Sequence, residues 1–247
     1  MPNSISKETE ENKEVKINPR VEALFKVGAH FGYSRSRRHP TIDSYIFGVK
    51  NRVEIFDLEK TDELLNKAKM FIKTLGAEGR QILFIGGKSE SRDAIKNGAT
   101  SIDMPYVSGR WIGGTFTNFG EIRKRVERLE KLTSERQKGE LSKYTKKERL
   151  LIDREIANLE RFFLGIVSMK EIPKAIFVID SKREHIAVTE ARKIGVPVIA
   201  LLGSDCNLKD VDYPIVANDS SVMSIKYFVD EIVGAYKEGR KAVLKNA

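Results

Sequence analysis

Three short, continuously apolar segments constrain the fold of this chain more than any other feature. They cover residues 81–85, where Gln81 is followed by four apolar residues, and residues 175–179 and 198–202. Segments with the pattern of a helix or a turn follow each of them. Strands that are apolar along their whole length are typical of parallel sheets, because helices cover both faces of such a sheet. With a further short strand at 213–217, the pattern predicts a doubly wound α/β domain of about five strands with right-handed crossovers.

Helical periodicity replaces this alternation between residues 118 and 166. Apolar residues recur at spacings of three and four on both sides of Gly139, and Thr145 with Glu148 forms a capping box. Two apolar seams around a break predict an antiparallel, coiled-coil helical hairpin that projects from the domain. The predicted organisation is a disordered polar tail at 1–17, one α/β domain made of 18–117 and 167–247, and an inserted hairpin at 118–166.

Local signals predict the remaining elements. The predicted elements are a helix at 20–28, a β-hairpin at 45–56 turning at 50–52, a helix from a Thr61 cap to Gly76, a helix from a Ser89 cap to Gly98, a helix at 184–194, and a last helix from Ser220 or Ser221 to about 237.

The charge balance favours a polyanionic partner. Lysine and arginine number 44 against 35 acidic residues, which gives a net charge of +9. No apolar run approaches the length of a membrane span, and the N-terminus lacks the apolar centre of a secretory signal. The single cysteine, Cys206, excludes an intramolecular disulfide and a cysteine-cluster zinc site. We therefore expect a soluble protein of the cytoplasm or an organellar matrix, with no membrane partner.

The segment from His30 to Pro40 combines cations with aromatic rings. Three arginines lie within four positions, and no acidic residue occurs from Val27 to Ile42. Basic groups interleaved with aromatics suit phosphate contacts and base stacking, whereas the alternative is a solvated loop. The predicted turn at 50–52 adds two more cations.

The stretch 104–119 stands between the first α/β segment and the hairpin. It holds the only tryptophan, Trp111, directly after Arg110 and among three glycines. A guanidinium beside a large ring can bind a phosphate and stack a base. The alternative is that Trp111 anchors the core and packs against the hairpin base while the glycines shape a turn. Asn118 with Glu121 predicts the start of the hairpin's first helix.

Catalytic and nucleotide-binding signatures are weak. The sequence has no G-x-S-x-G or H-E-x-x-H motif, and the glycine turn before Lys88 lacks the spacing that wraps a triphosphate. Lys88 is expected to be one more phosphate contact. Asp180, His185 and Asp205 follow predicted strands and are candidates for a metal site, whereas the alternative is that they cap turns and helices. We expect no enzyme, no cofactor and no small-molecule substrate.

Several sequence motifs, and their order along the chain, resemble those of a known protein family. They are Gly28-Ala29-His30-Phe31-Gly32, Tyr45-Ile46-Phe47-Gly48, Arg110-Trp111-Ile112-Gly113-Gly114-Thr115, Thr117-Asn118-Phe119, Thr145-Lys146-Lys147-Glu148 and Phe177-Val178-Ile179-Asp180. From about residue 20 onward the chain closely resembles the bacterial and organellar family of small-subunit ribosomal protein number two.

The resemblance implies a flavodoxin-like domain with a projecting helical hairpin, in a structural constituent of the small ribosomal subunit that acts in translation. It also implies binding to small-subunit (16S-type) rRNA near the head–body junction, and contact with neighbouring ribosomal proteins, among them the large multi-OB protein number one. The alternatives are a flavodoxin-like nucleotide-binding module or enzyme, and a protein adaptor acting through the hairpin. The predicted rRNA-binding residues are His30, Tyr33, Arg35, Arg37, Arg38, His39, Lys50, Asn51, Arg52, Lys88, Arg110, Trp111, Thr115, Asn118, Arg123 and Lys124.

Overall fold

Two β-sheets and seven helices make up the part of the chain that the computed structural model describes, residues 18–246, with side chains to residue 242. The predicted disordered tail, 1–17, lies outside the described residues. The strands are β1 (Phe31–Ser34), β2 (Ile46–Lys50), β3 (Val53–Phe56), β4 (Ile82–Ile85), β5 (Tyr106–Val107), β6 (Ala175–Ile179), β7 (Val198–Leu202) and β8 (Tyr213–Val216). The helices are α1 (Pro19–Lys26), α2 (Leu58–Ala77), α3 (Arg92–Thr100), α4 (Phe119–Gln137), α5 (Lys146–Phe163), α6 (His185–Lys193) and α7 (Val222–Asn246).

The larger sheet has five strands in the order β5-β4-β6-β7-β8, and every neighbouring pair is parallel. Counted along the chain this order is 2-1-3-4-5, the order of flavodoxin-like folds, so the expected fold class is confirmed. The order reverses at β4, whose two neighbours are β5 on one side and β6 on the other. Ligands of such folds bind outside the carboxyl ends of the strands at this reversal.

Helices cover both faces of this sheet, which explains why its strands are apolar throughout. Alternate residues of β6 point to opposite sides: Phe177 joins a buried cluster with α2, α3 and α7, whereas Val178 joins one with α4, α5 and α6. Both side chains are fully buried. The two clusters make the hydrophobic core two layers, one on each face of a single sheet.

Helices α2 and α7 pack closely across the first layer, through a glycine on each helix. A Cβ at Gly76 would collide with the backbone of Tyr236, and a Cβ at Gly239 would collide with the backbone of Lys73. The missing side chains let the two helix backbones approach. Gly239 lies beyond residue 237, where the last helix was predicted to end; the observed helix α7 continues to Asn246.

The second sheet is antiparallel and small, with the order β1-β3-β2. The predicted hairpin at 45–56 is present, but it forms this separate sheet instead of joining the parallel one. Its third strand, β1, lies in the segment expected to be a basic loop, and short 3-10 turns follow it at Arg35–Arg37 and Pro40–Tyr45. The fifth parallel strand is instead Tyr106–Val107, which the sequence pattern did not indicate as a strand.

Helices α4 and α5 contact each other and are joined by residues 138–145, with a 3-10 turn at Glu140–Lys143. Two ion pairs, Arg128–Glu155 and Arg136–Glu160, also connect them. The buried residues at their seam are continuous with the second core layer. The coiled-coil geometry and the independence of residues 118–166 as an insert stay predictions.

Helix starts were predicted less well than helix positions. Helix α2 is capped by Asp57, not by Thr61, whose hydroxyl instead donates to the Val216 carbonyl at 2.7 Å. Ser89 begins a 3-10 turn, and α3 starts only at Arg92 without a side-chain cap. Asn118 precedes α4 but its side chain makes no capping bond. The capping box of Thr145 and Glu148 is present. Within the described residues, no helix is long and apolar enough to cross a membrane.

Candidate nucleic-acid interface

A buried lysine sits at the carboxyl edge of the parallel sheet. Its ammonium nitrogen, Lys88 Nζ, lies 2.8 Å from Asp180 Oδ2, after β6, and 2.6 Å from Asp219 Oδ2, after β8. Burial alone would lower the pKa of Lys88, but the two carboxylates outweigh it and raise that pKa above its usual value. The ammonium also lies 3.3 Å from the hydroxyl of Tyr33 in β1. Lys88 therefore joins both sheets, and its ammonium is turned to carboxylates and away from solvent.

A buried carboxylate organises the stretch around Trp111. The Glu190 side chain, on α6, accepts backbone hydrogen bonds from Gly114 at 2.7 Å and from Phe116 at 3.0 Å. The Thr117 amide and the indole N–H of Trp111 lie farther away, at 3.4 and 3.5 Å. One side chain thus replaces the secondary-structure partners that this irregular segment lacks. The Trp111 ring is 5% exposed and packs edge-on against Phe116, 5.0 Å between centroids.

The small sheet carries the exposed cations that were predicted to bind phosphate. Arg35, Arg37, Lys50 and Arg52 are all exposed, and no described carboxylate lies within 4.0 Å of any of them. Asn51 and Arg52 have φ of 51° and 66°, as a two-residue hairpin turn of type I′ requires. The guanidinium of Arg37 lies 5.6 Å from the centre of the half-buried Tyr33 ring. We call these four cations the basic sheet surface.

Arg38 differs from its neighbours. Its guanidinium lies 2.6 Å from Asp43 and 3.4 Å from Glu54, which is fully buried in β3. Burial raises the pKa of Glu54, and Arg38 opposes that rise. Arg38 therefore neutralises a buried carboxylate of its own protein.

The two predicted histidines are also turned inward. His30 is buried and stacks on Phe25, 4.4 Å between ring centroids, and burial lowers its pKa. His39 is half-buried, and its Nδ1 lies 2.8 Å from the Thr41 hydroxyl at the start of a 3-10 turn.

Four further predicted residues lie at the hairpin base. Thr115 is buried and donates to the Ile112 carbonyl at 2.6 Å, while Asn118 is exposed. Arg123 pairs with acidic residues of its own helix and donates to the Val167 carbonyl, and Lys124 pairs with Glu121 at 2.6 Å.

The remaining exposed predicted residue, Arg110, lines an open cleft. The cleft lies between the segments that follow β4, β5 and β6 and has a volume of about 550 Å³. Arg92, Arg161 and Arg183 also line it, and none of the three was predicted. They come from separate parts of the sequence, so no local pattern could bring them together.

The candidate metal site of Asp180, His185 and Asp205 is not assembled in the described residues. Within residues 18–242 no three histidine, cysteine or acidic side chains are placed to hold a metal. Asp180 binds Lys88, Asp205 pairs with Lys182 at 3.0 Å, and His185 is exposed.

Glu190, which holds the backbone next to Arg110, is the main residue of this region that the sequence pattern did not reveal. A signal was present, because Glu190 falls three positions after Ala187 and one before Ala191, on the buried stripe of α6. A carboxylate on an apolar stripe needs partners within the protein. Glu184, likewise missed, is buried before α6 and accepts from the Gly87 amide at 3.1 Å; burial raises its pKa.

The strand order and the residues at the carboxyl ends of the strands define a flavodoxin-like α/β protein with exposed cations, such as Arg110 and Arg183, at those ends. The chain matches the family model described as Ribosomal protein S2 over residues 24–239. It is 40% identical over 222 residues to the small ribosomal subunit protein uS2 of Mycobacteroides abscessus, covering 90% of this chain and 80% of that protein. It is 39% identical to uS2 of Sulfurimonas denitrificans (88% and 84% covered) and 41% identical to uS2 of Helicobacter hepaticus (88% and 82% covered). The chain belongs to the ribosomal protein S2 family.

Proposed function

We propose that this protein is a structural constituent of the small ribosomal subunit that binds small-subunit rRNA through its basic sheet surface and Arg110. Family membership supports the ribosomal role, and the relatives bear the name of a small-subunit protein. The observation that carries the rRNA contact is the basic sheet surface. Its four cations are exposed and have no described carboxylate partner, so phosphates can neutralise them.

Arg110 adds a contact at the carboxyl edge of the parallel sheet. It is exposed, it follows β5, and the buried Trp111 and Glu190 fix the backbone that carries it. A guanidinium offers a planar fork of donors that matches phosphate oxygens. The other predicted residues then divide into those that support this surface from within, such as His30 and Lys88, and those at the hairpin base.

The function is structural, with no catalytic step. Lys88, the lysine of the glycine turn, faces two carboxylates and not the cleft that a nucleotide would enter. The finer parts of the proposal are a position near the head–body junction, and contacts with neighbouring ribosomal proteins that include the multi-OB protein.

A specific observation favours a protein contact by the hairpin. Leu150 and Leu151 on α5 are adjacent and both more than half exposed. Neighbouring exposed leucines suit a protein partner better than phosphates. Placing a photoreactive residue at position 151 in assembled subunits should yield a crosslink to protein. A crosslink to rRNA alone would reject this adaptor role.

Co-sedimentation with small ribosomal subunits across a salt series tests the main proposal, beside a thermal-shift screen with nucleotides. We expect subunit association that weakens with salt and no stabilisation by nucleotides. Stabilisation by a nucleotide without subunit association would replace the proposal with the nucleotide-binding alternative.

A further inference from the structure

The cleft beside Arg110 lies where the strand order of the parallel sheet reverses. Gly87 follows β4, Gly109 follows β5 and Arg183 follows β6, and all three line it. Folds of this class bind ligands at this position. With a volume of about 550 Å³ and an open mouth, the cleft can admit part of a large ligand.

Four arginines converge on this cleft from four separate segments. Arg92 begins α3, Arg110 follows β5, Arg161 lies near the end of α5, and Arg183 precedes α6. All four are exposed, and within the described residues none has a carboxylate within 4.0 Å. By contrast, most cations along α4 are held in ion pairs. Four unpaired guanidinium groups around one cavity repel each other, and a bound anion would relieve that repulsion.

The rest of the lining does not neutralise these charges. Glu184 is the one acidic residue of the lining, and its carboxylate accepts from the Gly87 amide at the cleft floor. A Cβ at Gly87 would collide with that carboxylate, so the close approach of the backbone to Glu184 at the cleft floor requires a glycine. Phe162 adds a half-buried ring, with the Arg161 guanidinium 5.3 Å from its centre.

We propose that this arginine cleft, formed by Arg92, Arg110, Arg161 and Arg183, binds consecutive backbone phosphates of an RNA strand. It would be a second phosphate site in addition to the basic sheet surface, and it rests on the proposed rRNA-binding function. Four guanidinium groups exceed what one phosphate requires, and they match a run of phosphodiesters. A free nucleotide fits less well, because the Lys88 ammonium is held by Asp180 and Asp219 and does not line the cleft.

The test uses the full chain with three of the cleft arginines changed together, Arg92→Gln, Arg161→Gln and Arg183→Gln. Filter binding to small-subunit rRNA across a salt series should show affinity lower by about tenfold or more. The slope of log affinity against log salt should flatten by roughly two to three units, about 0.7–0.9 for each phosphate that the variant no longer neutralises. The matched control is Arg128→Gln, Arg136→Gln and Arg192→Gln, which removes the same charge from exposed, ion-paired arginines.

A second variant tests the cleft without changing any of its arginines. A Cβ at Gly109 meets no atom within 4 Å, so Gly109→Glu should fold and place a carboxylate at the cleft. It too should weaken rRNA binding, with a thermal melt like that of the wild type.

The outcomes separate this inference from the proposed function. If the cleft variants bind rRNA like the control variant while the wild type binds well, the cleft proposal fails and the proposed function stands. If the wild type itself does not bind rRNA, both fail. If ATP or inorganic tripolyphosphate stabilises the wild type but not the cleft triple variant, the cleft holds a small polyphosphate and the RNA assignment is wrong.

Discussion

The carboxylate of Glu190 lies 2.7 Å from the backbone nitrogen of Gly114, and through this bond helix α6 holds the segment that carries Arg110. Gly114 has φ of +92°, a conformation that side chains rarely adopt, so this turn depends on both residues.

Replacing that carboxylate should destabilise the protein. Glu190→Ala leaves the Gly114 and Phe116 amides without their acceptor inside the structure. Because each orphaned buried donor costs about 1–3 kcal/mol, we expect a loss of roughly 3 kcal/mol in the free energy of unfolding. Chemical denaturation measures it. Glu155→Ala, which removes an exposed carboxylate paired with Arg128, should cost less than about 1 kcal/mol. Equal effects of the two variants would show that Glu190 has no special role.

Substitutions of Arg110 and Trp111 should have different effects: one should weaken rRNA binding and the other should lower the stability of the fold. Trp111→Ala should lower the free energy of unfolding by about 3–5 kcal/mol, because its ring is buried against Phe116. Arg110→Lys should stay within roughly 0.5 kcal/mol of the wild type, as exposed substitutions do, yet bind rRNA more weakly. Chemical denaturation paired with filter binding checks both. A wild-type melt for Trp111→Ala together with weaker RNA binding would identify the ring as a stacking platform instead.

The arginines of the 35–38 segment should fall into two groups. The Arg35→Ala, Arg37→Ala double variant should keep its stability and flatten the salt dependence of rRNA binding by about two units. Arg38→Ala should instead destabilise the protein, because it removes the cation beside the buried Glu54 carboxylate. We expect a loss of about 1–3 kcal/mol by chemical denaturation. An unchanged salt slope in the double variant would remove the basic sheet surface from the RNA contact.

Lys88 should contribute strongly to the stability of the fold. Lys88→Ala leaves Asp180 and Asp219 facing each other without their shared cation, and breaking a buried ion pair in this way costs about 3–5 kcal/mol. The control is Lys182→Ala, which removes an exposed cation from Asp205 and should cost less than about 1 kcal/mol. Thermal denaturation distinguishes the two. A stable Lys88→Ala variant that is impaired only in RNA binding would make Lys88 a direct phosphate contact.

His30 should make the stability of the protein decrease as the pH falls. Burial lowers the pKa of His30 below its usual 6.5 in the folded protein, so the unfolded chain takes up the proton first as the pH falls. The stability contribution of neutral His30 is thus complete above pH 6.5 and is lost as the pH falls below that value. His30→Phe keeps the stacking on Phe25 and removes the titration.

Denaturation of the wild type and of His30→Phe at several pH values tests this. The carboxyl groups are common to both proteins, so the difference between their pH profiles reports His30. The wild type should lose more stability than the variant as the pH falls from neutral to mildly acidic. Parallel profiles would show that His30 titrates alike in the folded and unfolded chains.

The sequence by itself determined the class of fold and where the hairpin helices lie. Runs such as 175–179 are apolar throughout because both faces of the sheet are covered, and the Thr145 and Glu148 pair acts within one helical turn. Such signals depend only on residues near each other in the chain, so they can be recognised in the sequence. The family motifs are also contiguous, and they indicate the ribosomal protein S2 family without the structure.

Only the tertiary structure decided which cations are available to a partner. Arg35 and Arg38 look alike in sequence, but one is exposed and the other binds a carboxylate sixteen positions away in β3. Lys88 finds its acidic partners after strands that follow much later in the chain. The arginine cleft gathers residues from positions 92 to 183 because parallel strands bring their carboxyl ends to one edge. Charge pairing acts through space over a few ångströms, and the spacing of residues along the chain does not record it.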